Sequence, residues 1–306
     1  MFVYEPGHQL NNAEFPESTF LLEPYIPTGS VIILYGRPSL GKTPLAWQIA
    51  QSIQLGVPLW GFPVVQANVL FLELDMPRSL TRERWKNADP EFQPQFVACF
   101  DDQSIDCTQF LLMRPNDRHK ELRDVFCALH DKYKFGLVCV DALREVVIGD
   151  LSPSGAPRRI YDSFHSVFPG ASTLFIHHER KMAATFFGVP DPLQSSAGSM
   201  EFMNVAQVAL HMHKIGKDTY LSHPKSQASI MFEPMPLRIH DDGVHFTNKH
   251  EERAQVAIDV MAATPKDIGM RDLDKRIGAA LKLSERSARI IRLGIVQKEV
   301  QKAEVK

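Results

Sequence analysis

The chain has 306 residues, 44% hydrophobic and 23% charged, with a formal net charge of −2. That is ordinary globular composition, enough for one large domain or a domain with a small module. Near-neutral charge excludes a global polyanion-binding surface, and no apolar run approaches the roughly 20 residues of a membrane helix.

In chain order, the opening "MFVYEPGHQL" lacks a basic-then-apolar leader. "SVIILYG" (30–36) is the first apolar run, followed by a helix pattern over 43–55. "ANVLFLELD" (67–75) is the second, followed by a helix pattern over 77–87. A helix over about 118–132 leads into "FGLVCVD" (135–141), and one over 158–168 into "STLFIHH" (172–178). Runs apolar at nearly every position suit strands buried on both faces of a parallel sheet, and their alternation with helices predicts crossover connections. "VAQVALHMHK" (205–214), "DTYLSHPK" (218–225), "SIMFEP" (229–234) and "DGVHFTN" (242–248) read as later strands. From 251 the chain turns charged and helix-rich. The expected organisation is an α/β core over 1–250 and a small helical module over 251–306. The four cysteines (Cys99, Cys107, Cys127, Cys139) show no zinc spacing and read as reduced thiols of a cytoplasmic protein.

Gly36, Gly41, Lys42 and Thr43 satisfy G-x-x-x-x-G-K-[ST] between an apolar strand and a helix. The glycines let backbone N–H groups face phosphates, Lys42 reaches the β/γ oxygens and Thr43 offers a hydroxyl to Mg²⁺. Arg37, Pro38, Ser39 and Leu40 complete the loop, and Pro44 follows in the first turn of the helix, where a missing N–H is tolerated. Asp141 ends an apolar strand, the placement of a Mg²⁺-holding carboxylate. Glu73 and Asp75 lie two apart on one side of the second strand, where either can orient or deprotonate the attacking water. Adjacent His177 and His178 point to opposite faces of their strand. This argues against a shared metal site and for a polar sensor at the carboxyl end of the sheet.

In order, "LLEPYIPTGSVIILYGRPSLGKTPLAWQIA", "NVLFLELDMPRSLTRERW", "LVCVDAL", "TLFIHHERK", "SSAGSMEFMNVAQVALHMHK" and "LSHPKSQAS" resemble the RecA-like ATPases over about residues 18–235. The likeness is to their RepA-type branch, the hexameric replicative helicases of plasmids and phages. It implies a RecA-like P-loop core with a mostly parallel twisted sheet flanked by helices. It also implies ATP and Mg²⁺ as cofactors, a ring of identical subunits with sites at their interfaces, and single-stranded DNA as partner. Lys42 and Thr43 match the phosphate and metal contacts, Asp141 the Walker B acid and His178 the sensor. Asp75 falls where the family carries its catalytic glutamate, one methylene longer, with Glu73 a stand-in one step earlier. Lys225 matches a lysine donated in trans, while Gln227 replaces the usual arginine finger, whose bidentate fork a lysine cannot make.

Two loops at the carboxyl side of the sheet are candidate DNA contacts: 144–159 with Arg158 and Arg159, and 180–196 with Arg180, Lys181, Phe186 and Phe187. The phenylalanine pair equally suits local packing. Residues 266–306 carry 11 Lys+Arg against 6 Asp+Glu, net +5. The stretches 255–263, 270–282 and 284–300 read as three helices, the last opened by Ser284, with Arg286, Arg289 and Arg292 three apart along one side, like a helix-turn-helix or winged-helix module. A small bundle that packs on the core or binds a partner protein remains the alternative. As a whole, a helicase motor stands beside two rivals: a RecA-like recombination or loader ATPase, and a slow nucleotide-dependent assembly or regulatory ATPase.

Overall fold

The computed structural model describes residues 20–86, 96–99, 117–146, 156–179, 200–227, 233–240, 246–265 and 268–304. A short antiparallel pair, β1 (Phe20–Leu22) and β2 (Ile26–Pro27), precedes β3 (Val31–Gly36) and α1 (Lys42–Leu55). Then come β4 (Asn68–Glu73), α2 (Arg78–Lys86), β5 (Phe96–Cys99), α3 (Asp117–Tyr133) and β6 (Phe135–Asp141). A 3₁₀ turn (Leu143–Val146), α4 (Ala156–Val167), β7 (Ser172–His178), α5 (Met200–Val205) and β8 (Val208–Ile215) follow. β9 (Asp218–Ser226), β10 (Met235–Ile239) and β11 (Phe246–Asn248) lead to α6 (Lys249–Ala263), α7 (Met270–Leu281) and α8 (Glu285–Glu304).

Among the described residues the main sheet runs β11-β10-β9-β8-β3-β7-β6-β4-β5. Neighbours from β5 to β8 are parallel, and β9, β10 and β11 extend the sheet antiparallel. The mixed α/β sheet with flanking helices is the mostly parallel architecture that the apolar runs led one to expect. Central β3 shows why its strands are apolar throughout. Ile32 and Leu34 share a core with Leu45, Ile49 and Ile53 of α1 on one face. Ile33 and Tyr35 share another with Ile160 and Phe164 of α4 and Phe202 of α5. Period-2 alternation in a strand covered on both sides leaves no polar face. At the end of β3 a Cβ on Gly36 would stand 2.2 Å from the Met212 carbonyl oxygen of β8, so the strand entering the loop must end in glycine.

The last three helices have their own small core of Ala257, Leu273, Ile277, Ala288 and Ile295. Asn248 caps α6, its side chain accepting from His250 N at 2.9 Å, and Ser284 Oγ accepts from Ser287 N at 3.2 Å at the start of α8. The three expected helices are present, and among the described residues no strand follows Asn248. No helix there is long and apolar enough to cross a membrane.

Two strands are displaced from expectation, and three others are additional. The strand expected from 205 begins at Val208, because Val205 closes α5. Most of the strand expected over 229–234 lies outside the described residues, and β10 occupies Met235–Ile239 instead. β1, β2 and β5 were not anticipated.

Candidate nucleotide-binding site

The phosphate loop joins β3 to α1 at the carboxyl edge of the parallel strands, where α/β sheets bind ligands. Ser39 (φ 62°) and Gly41 (φ 89°) adopt left-handed conformations, the kind of backbone from which anion nests are built. Pro44 stands in the first turn of α1, whose backbone ladder begins with Leu45 N donating to Gly41 O at 3.0 Å.

Lys42 is 5% exposed, and its Nζ donates to the loop's own carbonyls, Gly36 O at 3.0 Å and Arg37 O at 2.9 Å. Burial lowers its pKa, opposed by the charges of Asp141, Glu179 and Asp75. Thr43 Oγ1 donates to Asp141 Oδ2 at 2.5 Å. A hydroxyl and a carboxylate oxygen meeting at one point fit Mg²⁺, which takes few protein oxygens and completes its shell with phosphate and water.

Glu73 and Asp75 separate by depth. Glu73 pairs in register with Asp141 and is 1% exposed. Asp75 lies exposed beyond the strand end, its N–H bonded to Asp141 O at 3.1 Å. The charge of Asp75 reaches both Lys42 and His178. His178 is held below its ordinary pKa by burial first, then by Lys42. Its neighbour His177 turns to the other face, buried against Phe202 at 5.9 Å between ring centroids.

Two residues at the site escaped the sequence reading. Glu179, directly after the histidine pair, donates its N–H to Gly36 O at 3.0 Å. Its carboxylate lies 3.9 Å from Arg37 Nε and 3.7 Å from His211 Nε2. His211 is pushed down to about 4 by burial first, then by His213 and Arg37, so it is neutral at pH 7 and makes no ion pair with Glu179 there. It stacks on Tyr35 at 4.5 Å and on His213 at 4.8 Å. The only sequence signal for Glu179 was an acid at the carboxyl end of a buried strand. The second residue is Phe246, packed against Gly41. No motif marks it, because its partners are distant in sequence.

The remaining expected residues scatter. Lys225 Nζ donates to Met203 O at 2.7 Å and Asn204 O at 2.8 Å, placing its charge on the carbonyl end of α5 in its own chain. Arg158 and Arg159 are exposed on α4, Arg158 within 3.7 Å of Asp162. Arg180, Lys181, Phe186 and Phe187 lie outside the described residues. Arg286 and Arg289 are exposed on α8. Arg292 does not share their face: it is 8% exposed and holds Asp274 through two bonds at 2.6 and 3.3 Å.

No curated protein matches this sequence. Among solved structures, a KaiC-like protein from the hyperthermophilic archaeon Pyrococcus horikoshii OT3 aligns at 13% identity and a TM-score of 0.48. The alignment covers 76% of this chain and 97% of that one. A comparison with protein families matches residues 7–184 to the AAA domain, a span that contains the phosphate loop, Asp141 and His178. The match takes in more than half of the residues, and the chain belongs to the AAA domain family.

Proposed function

We propose that this chain hydrolyses ATP with Mg²⁺ and works on single-stranded DNA, as one subunit of a ring-forming helicase of the RepA type. The ATPase part rests on the 2.5 Å approach of Thr43 to Asp141 beside the buried Lys42. Mg²⁺ held there would neutralise charge between the β- and γ-phosphates. Lys42 would exchange the carbonyls of Gly36 and Arg37 for phosphate oxygens, and the loop amides would face the rest of the triphosphate. Asp75, exposed beyond the strand end, would orient the attacking water ahead of the buried Glu73, and His178 would hydrogen-bond the γ-phosphate and report its departure. The DNA part rests on the exposed Arg158, Arg159, Arg286 and Arg289. With Arg180, Lys181, Phe186 and Phe187 they would follow a phosphate backbone and stack bases.

Turnover with and without single strands tests this, with Lys42→Ala as the inactive control and a forked duplex to score unwinding. Stimulated turnover with strand displacement supports the helicase, stimulation alone supports a coating or loader ATPase, and turnover indifferent to DNA refutes both.

A second reading is a slow ATPase whose nucleotide sets an assembly state. The observation that favours it is Lys225, bonded within its own chain, with Gln227 where the helicases carry an arginine. Sedimentation should then show an oligomer that forms with a non-hydrolysable ATP analogue and is unaffected by DNA.

A further inference from the structure

The last strand before the C-terminal helices reaches back onto the phosphate loop. A Cβ built on Gly41 would stand 2.7 Å from Phe246 Cζ, so the ring tip of Phe246 fits against the bare Cα of the loop's final glycine. Phe246 is fully buried and its backbone is held on both sides by one side chain. Gln48 Nε2 donates to Phe246 O at 2.9 Å, and Gln48 Oε1 accepts from Phe246 N at 3.0 Å. Trp60 Nε1 donates to the same carbonyl at 3.1 Å. Gln48 belongs to α1, the helix that carries Lys42 and Thr43. Two residues beyond Phe246, Asn248 caps α6. Beside this contact lies a groove of about 690 Å³. Gln48, Leu59 and Trp60 line it on the core side, and Glu251, Gln255 and Ile258 on the α6 side. The start of α6 is therefore tied to the core at Phe246, with open space next to the tie.

We propose that Phe246 is a positioning residue for the phosphate loop. Its ring sets the position of Gly41, and through it the loop's state is passed to the root of α6. The proposal rests on the ATP reading above. The loop is folded onto Lys42 through the carbonyls of Gly36 and Arg37. Phosphate oxygens that take the ammonium would release the Arg37 carbonyl, while Gly36 O stays held by Glu179 N–H, so the loop would shift beyond Gly36 and carry the glycine pressed against Phe246 with it. Trp60 shares the Phe246 carbonyl, so its indole is a built-in reporter.

The test uses the full chain with Trp47→Phe and Trp85→Phe, leaving Trp60 as its single tryptophan. A fluorescent ATP analogue measures affinity, and Trp60 emission is followed separately with unlabelled ATP and ADP. In the parent, both nucleotides should change Trp60 emission. Phe246→Leu leaves Gly41 unsupported, and affinity should fall about tenfold, the scale of one or two lost hydrogen-bond-sized contacts. The Trp60 response should disappear with it. Phe246→Tyr adds a hydroxyl at the atom facing Gly41 and should weaken binding as well, a result that a merely apolar filler would not give. Should Phe246 variants not fold, Gln48→Leu frees the same backbone from a half-buried position and should have the same effects, with thermal unfolding checking the fold. Unchanged affinity together with an intact Trp60 response in these variants overturns the proposal. A parent that binds no nucleotide overturns the ATP reading itself, and the analogue titration alone reveals that case.

Discussion

Pro44 sits among the free donors of the first turn of α1, so the helix accommodates a residue with no N–H. On the ATP reading those donors would face the nucleotide, and Pro44 would withhold one contact to the α-phosphate. Pro44→Ala should tighten ATP and ADP alike by about 2- to 10-fold, the equivalent of one net hydrogen bond. Titration calorimetry reads this directly, and equal affinity in both proteins would end the idea. Glu73 and Asp75 show what a sequence can and cannot reveal at this scale. Their spacing placed both on one side of β4 but gave no measure of depth. The structure seals Glu73 under the sheet end and leaves Asp75 in the open beside Lys42 and His178. Asp75→Asn should lower turnover by about 100-fold or more with little change in nucleotide affinity, as loss of a general base does. Glu73→Gln should act on thermal stability instead; the reverse pattern in single-turnover assays would exchange their roles.

Elements buried on both faces were the legible ones. β3, β6 and β7 lie within one residue of where continuous apolar runs placed them, because a strand covered on both sides cannot hide its character. β1, β2 and β5 have 3, 2 and 4 residues, too few for any periodicity to show. β10 falls just after the run expected as a strand over 229–234, and it admits Pro236 opposite Tyr220, a residue that local pattern marks against strands. In α8 the error has a helical cause. Residues three apart step through about 300°, so each arginine falls about 60° behind the last and the third has turned about 120° from the first. Arg292 thus reaches the inner edge of the helix, where Asp274 of α7 receives it. Removing one partner leaves a buried charge alone, so Asp274→Ala or Arg292→Ala should destabilise the three-helix unit by about 3–5 kcal/mol. Arg286→Ala and Arg289→Ala should leave its melting temperature unchanged and lower only affinity for single strands. Calorimetry paired with a DNA titration separates the two classes.

At the scale of the whole molecule, two buried histidines link stability to pH. His211 and His223 are both pushed down to about 4 from an ordinary value of 6.5, chiefly by burial. Between those values the unfolded chain binds more protons than the folded one, so stability falls as pH drops from 6.5 towards 4. Each residue contributes up to about 1.4 kcal/mol per pH unit to that fall. Unfolding midpoints should be flat from pH 8 to 7 and decline steeply below 6. His211→Phe keeps a ring on Tyr35 and should flatten the decline; a slope unaltered by that change would move its origin elsewhere. The ring row Tyr35, His211, His213 and Tyr220 crosses β3, β8 and β9. It could not be foreseen, because strand order is a long-range property that local pattern does not carry. The strand–loop–helix order around Gly36, Gly41, Lys42 and Thr43, by contrast, could be read in advance, since it is written in consecutive residues.

The two bonds from Lys42 to Gly36 and Arg37 also bear on time. On the ATP reading, a nucleotide that displaces them would enter by exchange rather than by simple addition. Its observed association rate should therefore rise with concentration and then level off, and that ceiling is the rate at which the ammonium lets go.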